Sequence, residues 1–369
     1  MHNQENSTGV EGRAARVRGW RSGLRLVACA AAALAIAAPA AAATVFGFTR
    51  DTSGATRVSE YDLSTGNLVF GASRLLDQNL SGDAAPIPFG QFGGGTFDPA
   101  GGYWAALAGQ AGETIVGQFD TDTGNLVPGQ AFRLDQNLSG NAAPIPLSDY
   151  GGGAFAPDGG YWAALAGQAG ETIIGRFDTG TGNLVPGAAV RLDQNGAGSS
   201  APIPLGDFAG FAFDATGNLW AALRGQAGET LISQFDTTTG NLVLGKAFRL
   251  DQNFSGGAAP IPLSDFGGFG FDPDGGFWAA LRGQAGETIL GQFDMQTGNL
   301  LPGASRRLDY NPSGDGAPVP FADFAGFAFA PSVATPGAVP EPGAWALMIL
   351  GFGLAGATLR SRTGRRAAA

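Results

Sequence analysis

The sequence contains one histidine, His2, and one cysteine, Cys29, and both fall within its first 43 residues. If that segment is removed, the remaining chain has neither. Such a chain has no disulfide, no histidine or thiolate zinc site, no Ser-His-Asp triad and no Cys-His pair. Lysine is nearly missing too, since Lys246 is the only one in 369 residues. Charged residues of both signs make up only 14% of the chain. Positive charge is scarcest in the body: between Thr44 and Pro340 there are 28 Asp or Glu against 12 Lys or Arg. An acidic body repels phosphate backbones, which argues against a nucleic-acid partner. Cationic ligands, divalent metals and neutral sugars stay open.

Glycine is abundant, at 62 residues, and hydrophobic residues reach 44%. That is enough apolar material for a packed core. Many glycines with aromatics favour short strands and tight turns over long helices.

Positive charge outnumbers negative only at the two ends. Residues 1–43 carry Arg13, Arg16, Arg18, Arg21 and Arg25, then an apolar stretch from Leu26 to Ala38. Ala41-Ala42-Ala43 follows as an A-x-A site, which predicts a secretory signal peptide cut between Ala43 and Thr44. Export would run through the Sec translocon. Cys29 is not read as a lipoprotein cleavage site, because the apolar core follows it.

At the far end, Pro340-Glu341-Pro342 and Trp345-Ala346 precede an apolar run ending at Leu359. Arg360, Arg362, Arg365 and Arg366 follow. This order predicts a short C-terminal transmembrane helix with Trp345 at the membrane boundary. The arginines would act as a stop on the cytoplasmic side. Residues 339–366 resemble the PEP-CTERM sorting signal in its PEPxxWA form. The resemblance implies recognition by an exosortase of a Gram-negative bacterium, processing near Pro340-Glu341-Pro342, and release or attachment at the cell surface. It also implies a cell that makes exopolysaccharide.

Between these ends the chain is periodic. Tyr61-Asp62, Phe119-Asp120, Phe177-Asp178, Phe235-Asp236 and Phe293-Asp294 recur every 58 residues. Each opens a Thr-Gly-Asn-Leu turn, then Leu-Asp-Gln-Asn, Ala-Pro-Ile-Pro and Trp-Ala-Ala-Leu segments follow with small variations. In one copy the strand signals fall at Phe208–Asp214, Leu219–Arg224, Glu229–Asp236 and Leu242–Asp251. Four short strands with hairpin turns make one blade of a β-propeller. Thr44 begins a second-strand segment, while Phe327-Ala328-Phe329 ends one strand into a blade. The two ends are expected to complete one blade together, giving an all-β, five-bladed β-propeller over 44–331 with a linker at 332–338. The Phe-x-Phe-Asp-Pro pattern from Phe271 to Trp278 is similar to NHL-like and lyase-type propeller blades. That similarity implies a fold and not an activity.

Strand parity assigns the Gly-Gln-Ala-Gly-Glu loops and the long blade-to-blade connections to one face. The Asp-Pro-Asp-Gly and Thr-Gly-Asn turns go to the other. The first face would carry Glu113, Glu171, Glu229 and Glu287, with Asp135, Asp193 and Asp251 nearby. Carboxylates and amides suit sugar hydroxyls and calcium alike, so this is the candidate ligand face. The same residues also suit loop hydrogen bonding and a solvated rim. Asp120-x-Asp122 has a calcium-loop look, but the other copies lack the second acid, so it is read as a hairpin turn. Trp104, Trp162, Trp220 and Trp278 are read as core rather than sugar platforms. No catalytic residue, metal ligand or cofactor site is assigned, and calcium is kept only as an option. The expectation is a non-enzymatic surface or matrix protein that binds polysaccharide or another envelope component. A glycosidase or lyase with paired carboxylates is the alternative, and a structural protein without a ligand is the third.

Overall fold

The computed structural model describes residues 44–78, 85–136, 143–194, 201–252, 259–310 and 316–331. The expected signal peptide, linker and membrane segment lie outside the described residues. Among the described residues, no helix is long and apolar enough to cross a membrane.

The fold is an all-β propeller of five blades, each a four-stranded antiparallel sheet. The blade expected to start at Phe208 has strands Phe208–Phe213, Leu219–Arg224, Thr230–Phe235 and Leu242–Arg249, from the channel outward. The second strand is apolar along nearly its whole length and buried on both faces, because blades pack against it from either side. The third is buried except at Leu231 and Gln234, which are half-buried, and the outer strand is largely exposed. Register follows the side chains, with Ala222 opposite Ile232 and Trp220 opposite Gln234. Blades 2, 3 and 5 repeat this plan from Phe92, Tyr150 and Phe266.

Blade 1 is assembled from both ends. Its inner strand is Phe324–Ala328, and Thr44–Arg50, Thr56–Asp62 and Leu68–Leu75 complete it. Phe46 pairs with Ala328 and Gly47 with Phe327, so the first and last described strands close the ring. Closure leaves the ring no open junction between its first and last blades.

The core lies between blades. Trp220, Ile232 and Phe248 of blade 4 meet Phe269, Phe277 and Phe293 of blade 5 in one cluster. Phe248 and Phe277 stack edge to face at 5.5 Å. Burial of each such side chain contributes about 1.5–3 kcal/mol. Every described core cluster is built from the ring itself.

A second contact joins neighbouring blades at the rim. The Asp135 N–H donates to the Gly182 carbonyl at 2.9 Å, and the Leu184 N–H donates to the Asp135 carbonyl at 3.0 Å. Asp77, Asp193, Asp251 and Asp309 make the same pair of bonds to the Thr-Gly-Asn turns ahead of them. The last of these joins Asp309 to Gly66 and Leu68 and completes the circle. Parity alone separated these turns from the connections; the structure brings the exit of one outer strand against the entry of the next.

Candidate functional site

The ring has two unlike ends. At one, the first turns of the blades converge on a small mouth of about 170 Å3, lined by Asp98, Asp214 and Asp272 with Pro99, Pro273 and Pro331. Asp214 accepts N–H bonds from Thr216 and Asn218, and the Trp220 indole donates to it at 3.0 Å. Burial pushes its acidity down, but Thr216, Asn218 and Trp220 outweigh that and hold the carboxyl below its ordinary value. Trp104 and Trp278 donate likewise to Asp98 and Asp272, both at 2.8 Å. In blade 3 the acid is replaced by Ala156, and the buried Trp162 indole N–H has no partner among the described residues. All four tryptophans are 6–8% exposed and sit in the blade-to-blade core. Behind the mouth, the channel wall at its glycine bulges is only Gly, Ala and Phe and offers no titratable group. Pro331 lines the mouth, so the chain leaves the ring at this end.

The opposite end carries the second-to-third-strand loops and the connections. Glu113, Glu171, Glu229 and Glu287 each bridge to the proline that enters the next blade, as in Glu113 to Pro146. Each carboxylate also curls back on its own turn and accepts a backbone N–H two residues earlier, from Ala111, Ala169, Ala227 and Ala285, at 2.8 Å. Their geometry is that of loop staples with one oxygen committed.

Asp135, Asp193 and Asp251 are placed differently from the glutamates. They are 3% exposed. Their carboxylates accept the Ala143, Ala201 and Ala259 N–H groups and lie 3.5 Å from Arg133, Arg191 and Arg249. With their main chains in the rim contacts, these aspartates hold connection and ring together. Asp120 accepts the Asp122 and Thr123 N–H groups, which is a turn cap. Among the described residues, no group of three or more His, Cys, Asp or Glu side chains is arranged to hold a metal ion.

The repeats also differ from one another on this end. On the loop end, Arg224 pairs with Asp207 at 3.1 Å in blade 4, and Arg282 lies 4.0 Å from Asp265 in blade 5. Arg50 pairs with Asp323 in blade 1. Blades 2 and 3 have Ala108 and Ala166 in place of the arginine. Three consecutive blades therefore carry a guanidinium–carboxylate pair at this end. The grooves of blades 5 and 1 enclose about 620 and 530 Å3. Column-by-column comparison of the repeats at 58-residue spacing contains this signal; the shared motifs do not.

Residues 338–366 match the PEP-CTERM protein-sorting motif. The chain carries that sorting signal. Its tail therefore marks the protein for export to the cell envelope or surface. No curated protein matches the chain. Among solved structures it is similar to a symmetrical protein described as emerging de novo in evolution, with 13% identity and a TM-score of 0.42. That match covers 78% of this chain and 99% of the other. It is also similar to a bifunctional GH43-CE protein of Bacteroides eggerthii, with 17% identity and a TM-score of 0.36 over 71% of this chain and 35% of the other. A third is the calcium-binding protein regucalcin of Agrobacterium tumefaciens, with 16% identity and a TM-score of 0.31 over 66% of each chain. Likenesses this distant carry no argument about function.

Proposed function

We propose that the ring is a non-enzymatic binding module that an exosortase delivers to the cell surface, where it holds envelope polysaccharide. The observation behind this is the polarity of the ring. The chain runs from Pro331, at the mouth, into the sorting tail. From Ser332 to Val339 only eight residues intervene before Pro340. Eight residues span at most about 29 Å, so the mouth stays within that distance of the sorting motif. The loop end, with its glutamates, glutamines and arginine–aspartate pairs, is the end of the ring opposite the tail. Amide, carboxylate and guanidinium groups in shallow repeated grooves match the donor and acceptor pattern of sugar hydroxyls.

The reading favours binding over catalysis because the repeated acids already serve turns and connections, with no acid pair singled out across the channel. The test is electrophoresis of the purified 44–331 ring through gels containing the host's own exopolysaccharide, with and without calcium. Retardation relative to a polysaccharide-free gel is expected. Unretarded migration in both conditions would remove the binding role. Shortening of the polysaccharide during the run would favour the enzyme instead.

A further inference from the structure

We infer that the groove of blade 1 is the ring's specific sugar site, and that it takes an uncharged pyranose through Tyr310, Arg57 and the Arg50–Asp323 pair. The inference rests on the polysaccharide-binding reading and sharpens it to one of the five blades. The repeat columns single out this groove. At 58-residue spacing, Tyr310 stands where the other blades have Gln78, Gln136, Gln194 and Gln252. Arg57 replaces Ile115, Ile173, Leu231 and Ile289, and Asp51 replaces Gly109, Gly167, Gly225 and Gly283. These three changes meet in one cavity of about 530 Å3, bordered also by Ser73, Asp323 and Arg50. That volume lies within the about 300–1,000 Å3 typical of small-molecule sites.

A second set of changes lies beneath it. Thr49 replaces the leucine of Leu107, Leu165, Leu223 and Leu281, and Tyr61 replaces the phenylalanine of Phe119, Phe177, Phe235 and Phe293. Both side chains are fully buried, and neither hydroxyl has a hydrogen-bond partner among the described residues. Thr49 lies near enough to influence the phenols of both Tyr61 and Tyr310. Thr56, Thr114, Thr172, Thr230 and Thr288 bury one such hydroxyl in every blade, and blade 1 adds Thr49 and Tyr61, with Thr49 close to Tyr310 of the groove.

The chemistry of the walls selects the ligand. Arg50 is paired with Asp323, and Arg57 lies 3.7 Å from Asp51 while donating to Ser73 Oγ at 3.3 Å. Two guanidiniums and two carboxylates leave the groove without net charge, so it has no preference for an ionic ligand. The body's acidity further disfavours a uronate. What remains is a site with donors and acceptors side by side and an aromatic ring with Pro318 and Pro320 for an apolar sugar face. Vicinal hydroxyls of a neutral pyranose satisfy both.

The sister blades supply the control variants. Arg57→Ile with Tyr310→Gln gives blade 1 the residues that blades 2, 3 and 5 already hold at those positions. The experiment titrates the 44–331 ring with the methyl glycosides of glucose, galactose, mannose and rhamnose, read by saturation-transfer NMR. The expected result is saturable binding of at least one glycoside, weakened about ten-fold or more in the double variant at an unchanged melting temperature. Binding unchanged in the double variant overturns the blade 1 assignment. No binding of any glycoside at tens of millimolar overturns it as well. Retention by the host polysaccharide is measured separately, so the ring can still bind polysaccharide when this groove does not. Should the double variant misfold, Tyr310→Gln alone decides in the same way.

Discussion

The rim contacts make a quantitative prediction at one glycine. Gly182 sits in the Thr-Gly-Asn turn of blade 3 with φ +76°, and a Cβ there would lie 1.9 Å from the Arg133 carbonyl oxygen of blade 2. Gly187, in the outer strand of the same blade, has φ +72° and open space around its Cβ position. Alanine at Gly187 costs only the left-handed backbone, about 1–2 kcal/mol. Alanine at Gly182 costs that and must also push the two blades apart. The Asp135 N–H to Gly182 and Leu184 N–H to Asp135 bonds are then lost, at about 0.5–1.5 kcal/mol each. The expected totals are about 2–5 kcal/mol for Gly182→Ala and about 1–2 kcal/mol for Gly187→Ala. Asparagine tolerates positive φ, so it should rescue position 187 but not position 182. Urea unfolding of the 44–331 ring, followed by tryptophan fluorescence, measures all four variants. Equal destabilisation of the two alanine variants would show that the rim contact contributes nothing.

Further outcomes follow from the indole bonds, the turn carboxylates and the tail. Trp220→Phe leaves the Asp214 carboxylate without its indole donor, whereas Trp162→Phe removes an N–H that has no described partner, so the first should cost about 1–3 kcal/mol more. Ala156→Asp restores the acid that blades 2, 4 and 5 possess and should raise stability by about 1 kcal/mol; a lower unfolding midpoint would refute the pairing. Asp214 and Asp51 are held below the ordinary aspartate value of 3.8: burial opposes this, but Thr216 and Asn218 for the first and Ser53 and Ala55 for the second prevail. Their stabilisation is therefore complete above the unfolded-state value and disappears as pH falls through the lower folded-state values. With no histidine in the ring, the melting temperature should stay flat from neutral pH to about pH 5 and fall below about pH 4; a decline beginning above pH 6 would contradict this. Deletion of Pro340 to Pro342 should leave an unprocessed, membrane-held precursor on immunoblots of fractionated cells, and normal processing would exclude exosortase handling.

The blades and their strands were legible in the chain because both depend on local periodicity. Trp-Ala-Ala-Leu segments, alternating Phe-x-Phe runs and Thr-Gly-Asn turns each act within a few residues, and the 58-residue repeat averages out local ambiguity. Closure was legible too, since Thr44 starts one strand late and Phe329 stops one strand in. The sorting motif is read residue by residue and needs no fold. The roles of the acids were not legible. Glu113 and Asp135 look equivalent as repeated carboxylates, yet one staples an exposed loop and the other is buried under a connection. That distinction depends on how the strongly twisted outer strands of neighbouring blades meet, a relation between residues about fifty apart. The blade 1 groove shows the same limit. Tyr310 and Arg57 are 253 residues apart, and only a closed ring makes them neighbours. Sequence alone determined the repeating unit and the destination of the chain, because both are written in short segments. Tertiary structure decided which polar residues hold the ring and which line a groove, because those roles depend on contacts across blades.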